Sequence, residues 1–346
     1  MLNNRITFWS EALHHWASVH DPPLPPPPIE SIMREACSWV LPEAAKVNAD
    51  LIVITSAMGF HPDALIALAR AHFPVALVFT ESPYNDNEHL YLAALAPYIF
   101  TNDFDSVHSL SQVNPNTYYL PTAFDASAHH PHVPMHEEHS DVLFVGTGFP
   151  ERLAFLNSAL EILNSDGQGP MPNVQLYGFF GADLDDSGQD SNLPPLIRSI
   201  VHPPITNDET VSRYRSAKIV LNFYRDGYGY SLNPRAYELA ACSVFQLAQD
   251  GPREAHSLFG NSISYFKTPT DLASSIRMWL RPENATLRYR KAWQSNILVQ
   301  GHSYQDRAQT LLNYIANSAS PSIFISSSQS SSPSPLFGSP LTYGLA

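Results

Sequence analysis

The sequence NFYRDGYGYSLNPRAYELAACSVFQLAQD, residues 222–250, has the pattern of a strand end, a loop, a helix and a second strand. The apolar run of residues 217–221 leads into it, and a loop rich in glycine and tyrosine follows at residues 226–230. Asn233 predicts a helix N-cap, with Pro234 at the first helical position, where no N–H is needed. The apolar run from Val244 predicts a buried strand. Because a helix N-terminus presents free N–H groups and a positive dipole end, such a unit can bind a phosphate.

Two charged side chains give this helix a candidate function. Arg235 and Glu238 lie three residues apart and therefore share one helix face. The arginine could bind a phosphate, and the carboxylate, one turn further along, could bind the hydroxyl groups of an attached sugar. The alternative is an ordinary capped surface helix on which the two residues form a weak, solvated ion pair.

The composition is that of a globular chain with room for two domains. It has 346 residues, of which 44% are apolar and 15% are charged. The formal net charge of −13 disfavours wide contact with nucleic acid or with an anionic membrane. With only Cys37 and Cys242, no disulfide framework is expected, and neither a signal sequence nor a membrane-spanning run is evident. We therefore expect a cytoplasmic protein.

Short apolar strands alternate with helices through the first half of the chain. This order is typical of βαβ units that build a parallel sheet, in which ligands bind beyond the carboxyl ends of the strands. The predicted strands are residues 51–55, 74–79, 98–101 and 118–120. The predicted helices are residues 4–19, 29–47, 62–71 and 88–96.

Two residues in the loops after these strands are candidates for a site. The loops are residues 56–61, 80–85 and 102–105. Glu81 could act as a catalytic base or bind a hydroxyl group, or it could cap the helix that follows. His61 could face a ligand, although a histidine in a loop is more often simply exposed.

A change of composition at residues 124–141 separates the two halves of the chain. The segment is rich in histidine, but it lacks a pair of histidines on one helix face and a cysteine partner, which zinc sites commonly have. We therefore interpret it as a solvated linker between domains. Its histidines are His129, His130, His132, His136 and His139.

The order of strand, turn and helix restarts after this linker. A strand is predicted at residues 141–145, and Gly146 and Gly148 predict a tight turn before the next helix. With Arg152 in its first turn, this helix is a second candidate for binding phosphate. It does not match a dinucleotide-binding fingerprint, because Glu151 occupies the place of the third glycine.

These patterns predict an α/β chain with two Rossmann-like domains. We place the N-terminal domain at residues 1–130 and the C-terminal domain at residues 131–317. The last helix, residues 304–317, is expected to pack back toward the N-terminal half. Residues 318–346 are rich in serine and proline without apolar periodicity, which predicts a disordered and dispensable tail.

Five segments resemble, in order and spacing, those of the CgeB-like (spore-maturation-protein) glycosyltransferases. The family's YLP-x-x-x-D segment resembles YLPTAFD, and its DVxFVG-x-x-x-x-R segment resembles DVLFVGTGFPER. The strand KIVLN precedes NPRAYELAAC, which is similar to LR-x-x-E-x-x-A-C-G, and the ending H-T-Y-x-x-R is similar to GHSYQDRA. The segments are residues 119–125, 141–152, 218–222, 233–242 and 301–308.

The resemblance implies the GT-B architecture, in which the parallel sheets of two domains face an interdomain cleft. It implies transfer of a sugar from a nucleotide-diphosphate sugar to an acceptor that the sequence does not identify, with no bound cofactor and with arginines in place of a metal. Glu238 would bind the ribose, and Glu81 is the candidate catalytic residue on the acceptor side. The implied donor-binding residues are Gly146, Gly148, Arg152, Asn222, Gly227, Gly229, Arg235 and Glu238.

The chain departs from the family pattern at two positions near this helix. Tyr230 stands where related retaining enzymes have an acid, and Ser243 replaces a helix-ending glycine. One alternative is a non-catalytic nucleotide-sugar-binding or assembly protein with the same fold, which Tyr230 and a shortened N-terminal domain favour. A second is another GT-B-like enzyme such as an epimerase, which the missing His/Glu catalytic set disfavours. A third is a glycosyltransferase for modified DNA bases, which the negative charge disfavours.

Overall fold

The computed structural model describes residues 2–20, 24–25, 27–131, 140–180 and 193–318. They form two parallel β-sheets with no strand in common. No helix in this part of the chain combines the length and the apolar character needed to span a membrane. Outside the described residues lie His132, His136, His139 and the predicted tail from residue 319 onward.

The N-terminal sheet has four parallel strands in the order β1–β2–β3–β4. Its strands are β1 Ile52–Thr55, β2 Val75–Phe79, β3 Tyr98–Thr101 and β4 Thr117–Tyr119. The helices of this half are α1 Leu2–Ser18, α2 Ile29–Cys37, α3 Val40–Lys46, α4 Pro62–Arg70, α5 Asp86–Ala93 and α6 Ser106–Val113. The helix predicted at residues 29–47 is therefore two helices, because the chain turns between α2 and α3.

Apolar side chains of α4 and β2 form the core of this half. Leu65 and Leu68 of α4 are fully buried in one cluster with Leu77 and Phe79 of β2. Fully burying one such side chain stabilises the fold by about 1.5–3 kcal/mol. The continuous apolar run of β2 is explained by this environment, since a parallel strand is covered on both faces.

The C-terminal sheet has six parallel strands in the order β10–β9–β8–β5–β6–β7. Its strands are β5 Ser140–Val145, β6 Val174–Tyr177, β7 Val201–His202, β8 Ala217–Asn222, β9 Gln246–Gln249 and β10 Ser264–Phe266. The helices are α7 Pro150–Ser165, α8 Pro195–Arg198, α9 Asn207–Arg215, α10 Pro234–Ala241, α11 Arg253–Phe259, α12 Pro269–Leu280, α13 Ala285–Leu298 and α14 Tyr304–Asn317. Short 3₁₀ turns lie at Gly260–Ser262 and Pro282–Asn284.

The direction in which strands are added to this sheet reverses between β5 and β8. From β5 the chain adds β6 and β7 on one side, and it then returns to add β8, β9 and β10 on the other. Such a reversal opens a crevice at the carboxyl ends of the two central strands, and ligands of open α/β sheets bind there. The topology therefore places the candidate site after β5 and after β8.

The chain crosses from one domain to the other twice. On the first pass it runs through the segment predicted to be a solvated linker, and the described part of that segment is only partly solvated: residues 125–127 and His130 are exposed, whereas Phe124 and His129 are buried. His129 is only 4% exposed, and Arg215 of α9 donates hydrogen bonds to the carbonyl oxygens of Ala128 and His130. The predicted boundary after residue 130 lies between β4 and β5.

On the second pass the last helix returns to the N-terminal sheet, as predicted. Leu311 of α14 is buried in a cluster with Phe100 and Leu120. The ring of Tyr314 stacks on that of Tyr118, with 4.5 Å between their centroids. The end of the chain's described part is thus fixed to the domain in which the chain began.

Candidate functional site

Helix α10 begins as its sequence predicts. The side chain of Asn233 accepts a hydrogen bond from the N–H of Ala236, and Pro234 is the first helical residue. Asn222, at the end of β8, is fully buried, and its side-chain amide exchanges two hydrogen bonds with that of Asn233. The buried side chain of Asn222 therefore holds the N-cap residue, Asn233, in position.

Three arginines converge at the carboxyl ends of β5 and β8. Arg152 of α7 is only 7% exposed and donates to the carbonyl oxygens of Thr147, at 2.6 Å, and Tyr224, at 3.5 Å. The guanidinium groups of Arg152 and Arg235 both lie over the ring of Phe144, 5.4 and 5.2 Å from its centroid. Burial, and after it the charge of Arg235, lowers the pKa of Arg152 to about 10.

The third arginine, Arg225, bridges the two domains. Its guanidinium group lies 4.5 Å from the ring centroid of Tyr84 in the N-terminal domain and 5.8 Å from that of Phe149 in the C-terminal domain. The hydroxyl group of Tyr84 donates to the backbone carbonyl of the same arginine. Sequence reasoning missed Arg225 and Tyr84. The available signal was that Arg225 follows β8 closely, just as Arg152 follows β5.

No carboxylate among the described residues lies within ion-pair distance of these three guanidinium groups. The Nε atoms of Arg152 and Arg235 are buried and have no hydrogen-bond partner in the described part of the chain. A buried positive charge without a counter-charge is costly, and an anion bound beside these arginines would supply that counter-charge. The arrangement is therefore suited to binding an anion.

The glycines after β5 create space beside the arginines. A Cβ atom at Gly146 would lie 2.7 Å from Nη2 of Arg235, and one at Gly148 would lie 2.4 Å from the ring of Phe180. The N–H groups of both glycines donate to the carbonyl oxygens of Tyr177 and Phe179, which extends the sheet. These two N–H groups are therefore not free to bind a ligand. The role of the glycines is to let Arg235 and Phe180 pack closely against the backbone.

Glu238 lies one turn after Arg235 on α10 and is partly buried. Its negative charge is close enough to raise the pKa values of Tyr214 and Tyr304, after the larger effect of burial. Glu238 forms no ion pair with Arg235, so the weak pair proposed for an ordinary surface helix is not formed. No described residue donates a hydrogen bond to the Glu238 carboxylate, which can therefore accept hydrogen bonds from a ligand.

The loop with Gly227 and Gly229 lies between the domains. Gly227 has a φ of +77°, which favours glycine, and its nearest neighbour is the ring of Tyr84. Gly229 lies directly against the carboxylate of Asp103, and Tyr230 contacts Phe104 with 5.2 Å between the ring centroids. The predicted diphosphate loop therefore also contacts the N-terminal domain.

On the N-terminal side, the structure places the two candidates differently. Glu81, after β2, is partly buried, and it does not cap α5, whose N-cap is Asn85. Its charge raises the pKa of the nearby Tyr84 phenol, although burial has the larger effect. His61 is buried, contrary to the expectation of exposure, and its Nδ1 accepts the N–H of Asp63 to cap α4. Glu81 thus lies near the arginine site, whereas His61 has a structural role.

A family model described as "Glycosyl transferase-like" matches residues 173–313, which include α10 and the loop before it. No curated protein sequence matches the chain.

Solved structures match most of the chain. Sucrose-phosphate synthase from Thermosynechococcus elongatus has 13% identity and a TM-score of 0.59, over 83% of this chain and 78% of that chain. HepE from Anabaena, solved in complex with UDP-glucose, has 14% identity and a TM-score of 0.56, over 82% of each chain. The fold is GT-B. A third GT-B neighbour, α,α-trehalose 6-phosphate synthase from Burkholderia multivorans, has 10% identity and a TM-score of 0.56, over 91% of this chain and 83% of that chain.

Among the described residues, no three His, Cys, Asp or Glu side chains are arranged so that they could hold a metal ion. The positive charge of the candidate site comes from arginine side chains.

Proposed function

We propose that this GT-B protein is a glycosyltransferase that takes its sugar from a nucleoside-diphosphate sugar bound at the carboxyl ends of β5 and β8. The observation that carries the proposal is the group formed by Arg152, Arg225 and Arg235, which no described carboxylate neutralises. Two of the three have a buried Nε atom without a partner. A diphosphate offers several acceptor oxygens and two negative charges, which suit the fork geometry of guanidinium groups.

The chemistry of transfer follows from this placement. When the bond between the anomeric carbon and the diphosphate breaks, negative charge develops on the leaving nucleoside diphosphate. Arginines held in place by Thr147, Tyr224 and the phenylalanine rings would stabilise that charge without reorganising, and a metal is not required for this role. Glu238 would accept hydrogen bonds from the ribose, and Glu81 would act on the acceptor side of the cleft.

One comparison supports UDP-glucose as the first donor to test: HepE, which shares the fold, has been solved with UDP-glucose. The glycosyl transferase-like family model covers the proposed ribose-binding helix. The motifs similar to CgeB-like glycosyltransferases contain Arg152, Arg235 and Glu238. We therefore place the protein near that family, with the acceptor unassigned and with nucleic acid disfavoured by the net charge of −13.

One observation favours the non-catalytic alternative. Tyr230 occupies the place of an acid in related retaining enzymes, and its ring lies in the domain interface against Phe104 and under the guanidinium group of Arg253. That position therefore offers no carboxylate to the donor. An assay of UDP-glucose hydrolysis separates the two functions, because a binding protein would retain the donor unchanged.

The donor site is tested by calorimetric titration of the wild type and Glu238→Gln with UDP and UDP-glucose. The variant keeps the shape of the side chain and loses its charge, so binding should weaken by about 1.5–3 kcal/mol, or roughly 10- to 150-fold. Glu161→Gln, on the exposed face of α7, is the matched control and should bind like the wild type. Equal dissociation constants for wild type and Glu238→Gln would remove the ribose assignment.

A further inference from the structure

A buried carboxylate of the N-terminal domain holds the cleft loop of the C-terminal domain. Asp103 lies just after β3 and is only 1% exposed. Its two oxygen atoms have different partners. Oδ2 accepts hydrogen bonds from the N–H and the hydroxyl group of Ser106, in its own domain, at 3.2 and 3.3 Å. Oδ1 accepts the backbone N–H of Ser231, in the other domain, at 3.1 Å.

Gly229 leaves the space that this contact needs. A Cβ atom there would lie 2.4 Å from Oδ1 of Asp103 and 2.6 Å from its carboxyl carbon. The backbone of Gly229, unlike that of Gly227, is not in the left-handed region. An alanine could therefore adopt the same conformation, and only the approach of Asp103 excludes it.

Further hydrogen bonds hold the same loop against the N-terminal domain. The hydroxyl group of Ser231 donates to that of Tyr119 and accepts the N–H of Phe104. One residue further along, the carbonyl oxygen of Leu232 accepts the hydroxyl group of Thr122. The next residue is the N-cap of α10, the helix that carries the proposed donor-binding arginine and glutamate.

We propose that Asp103 is a positioning residue for the donor site. Through Ser231, its carboxylate fixes the loop before α10, and with it Arg235 and Glu238, so that the donor site is complete only when the two domains are in contact. This proposal rests on the proposed function, and it assigns Gly229 a different role from the diphosphate contact that the family resemblance implies. The lack of a side chain at Gly229 serves the contact between domains.

A double-mutant cycle of Asp103→Ala and Gly229→Ala tests this assignment, with the dissociation constant for UDP measured by calorimetry. Each single variant breaks the same contact, so each should weaken binding by about tenfold. The double variant should bind UDP no more weakly than the single variant with the lower affinity, because the free-energy effects of two substitutions that break one contact are not additive. Losses that multiply to about a hundredfold would show that Gly229 acts on the ligand independently, which would overturn the proposal.

Two further variants separate positioning from the stability of the N-terminal domain. Asp103→Asn retains an acceptor oxygen for the Ser231 N–H and should recover part of the affinity lost in Asp103→Ala. Ser106→Ala removes hydrogen bonds to Oδ2 of Asp103 and to Asp86, and leaves the contact between domains in place. Its affinity for UDP should equal that of the wild type. A loss as large as that of Asp103→Ala would mean that the carboxylate only stabilises its own domain.

Hydrogen exchange of the Ser231 amide gives a readout that needs no ligand. In the unliganded protein this amide should exchange faster in Asp103→Ala than in the wild type, whereas Ser106→Ala should leave its rate unchanged. Equal protection in wild type and Asp103→Ala would overturn the proposal. If wild-type protein binds neither UDP nor UDP-glucose, the proposed function fails, and the exchange rates still decide whether Asp103 holds the loop.

Discussion

Replacing Arg235 by glutamine tests whether this arginine binds a ligand or stabilises the fold. The guanidinium carbons of Arg235 and Arg152 lie 5.2 and 5.4 Å from the centroid of the Phe144 ring, so they are at most 10.6 Å apart. At an effective dielectric constant of about 20, two unit charges at that distance repel each other by roughly 1.5 kcal/mol. The lowered pKa of Arg152, about 10, reflects burial first and this repulsion second.

The two expected effects of Arg235→Gln have opposite signs. In the unliganded protein the variant relieves that repulsion and loses the cation–π contact of the guanidinium group with the Phe144 ring, worth about 1 kcal/mol. The free energy of unfolding should therefore change by less than about 1 kcal/mol in either direction. Binding of UDP loses a charge-assisted contact and should weaken by about 1.5–3 kcal/mol.

Urea denaturation and calorimetric titration with UDP measure the two quantities. The affinity of the wild type for UDP should also fall more steeply with increasing salt concentration than that of the variant. Salt screens the attraction between the Arg235 charge and the diphosphate, and the variant lacks this attraction. Arg290→Gln, which removes an exposed arginine on α13, is the matched control and should change neither quantity. An Arg235→Gln protein that binds UDP like the wild type, or that loses several kcal/mol of stability, would refute the reasoning and make Arg235 a structural residue.

Two further predictions concern stability. Ser243 has a φ of +54° where α10 ends, and its buried hydroxyl group has no partner among the described residues. Because glycine adopts this left-handed conformation without strain, Ser243→Gly should raise the free energy of unfolding by about 1 kcal/mol. An unchanged or lower urea midpoint would contradict this. Burial, and after it the charge of Arg307, lowers the pKa of His302 in the folded protein. Below about pH 6.5 the unfolded chain therefore binds more protons at this residue than the folded protein does, and the free energy of unfolding should fall from pH 7 to pH 5. Melting temperatures of His302→Gln should show less of this fall, and an identical pH profile would exclude His302 as its source.

Local sequence signals predicted much of the fold. The N-cap at Asn233, the last helix at residues 304–317 and the apolar strands of the first half all appear within one residue of their predicted positions. Each rests on residues close together in the chain, where backbone geometry and capping chemistry act over a few positions. Arg152 and Arg235 were found for the same reason, since each lies in the first turn of a helix that follows a central strand.

The contacts that complete the candidate site are of another kind. Ser231 is separated from Asp103 by 128 positions, and Tyr84 is separated from Arg225 by 141. Nothing local to Gly229 distinguishes a glycine that faces a diphosphate from one that faces a carboxylate of the other domain. The sequence by itself indicated the two parallel sheets, many of the helix starts, and two of the three arginines of the candidate site. Only the tertiary structure decided which domain surfaces meet, because those contacts depend on how two separately built sheets are docked rather than on the residues beside each position.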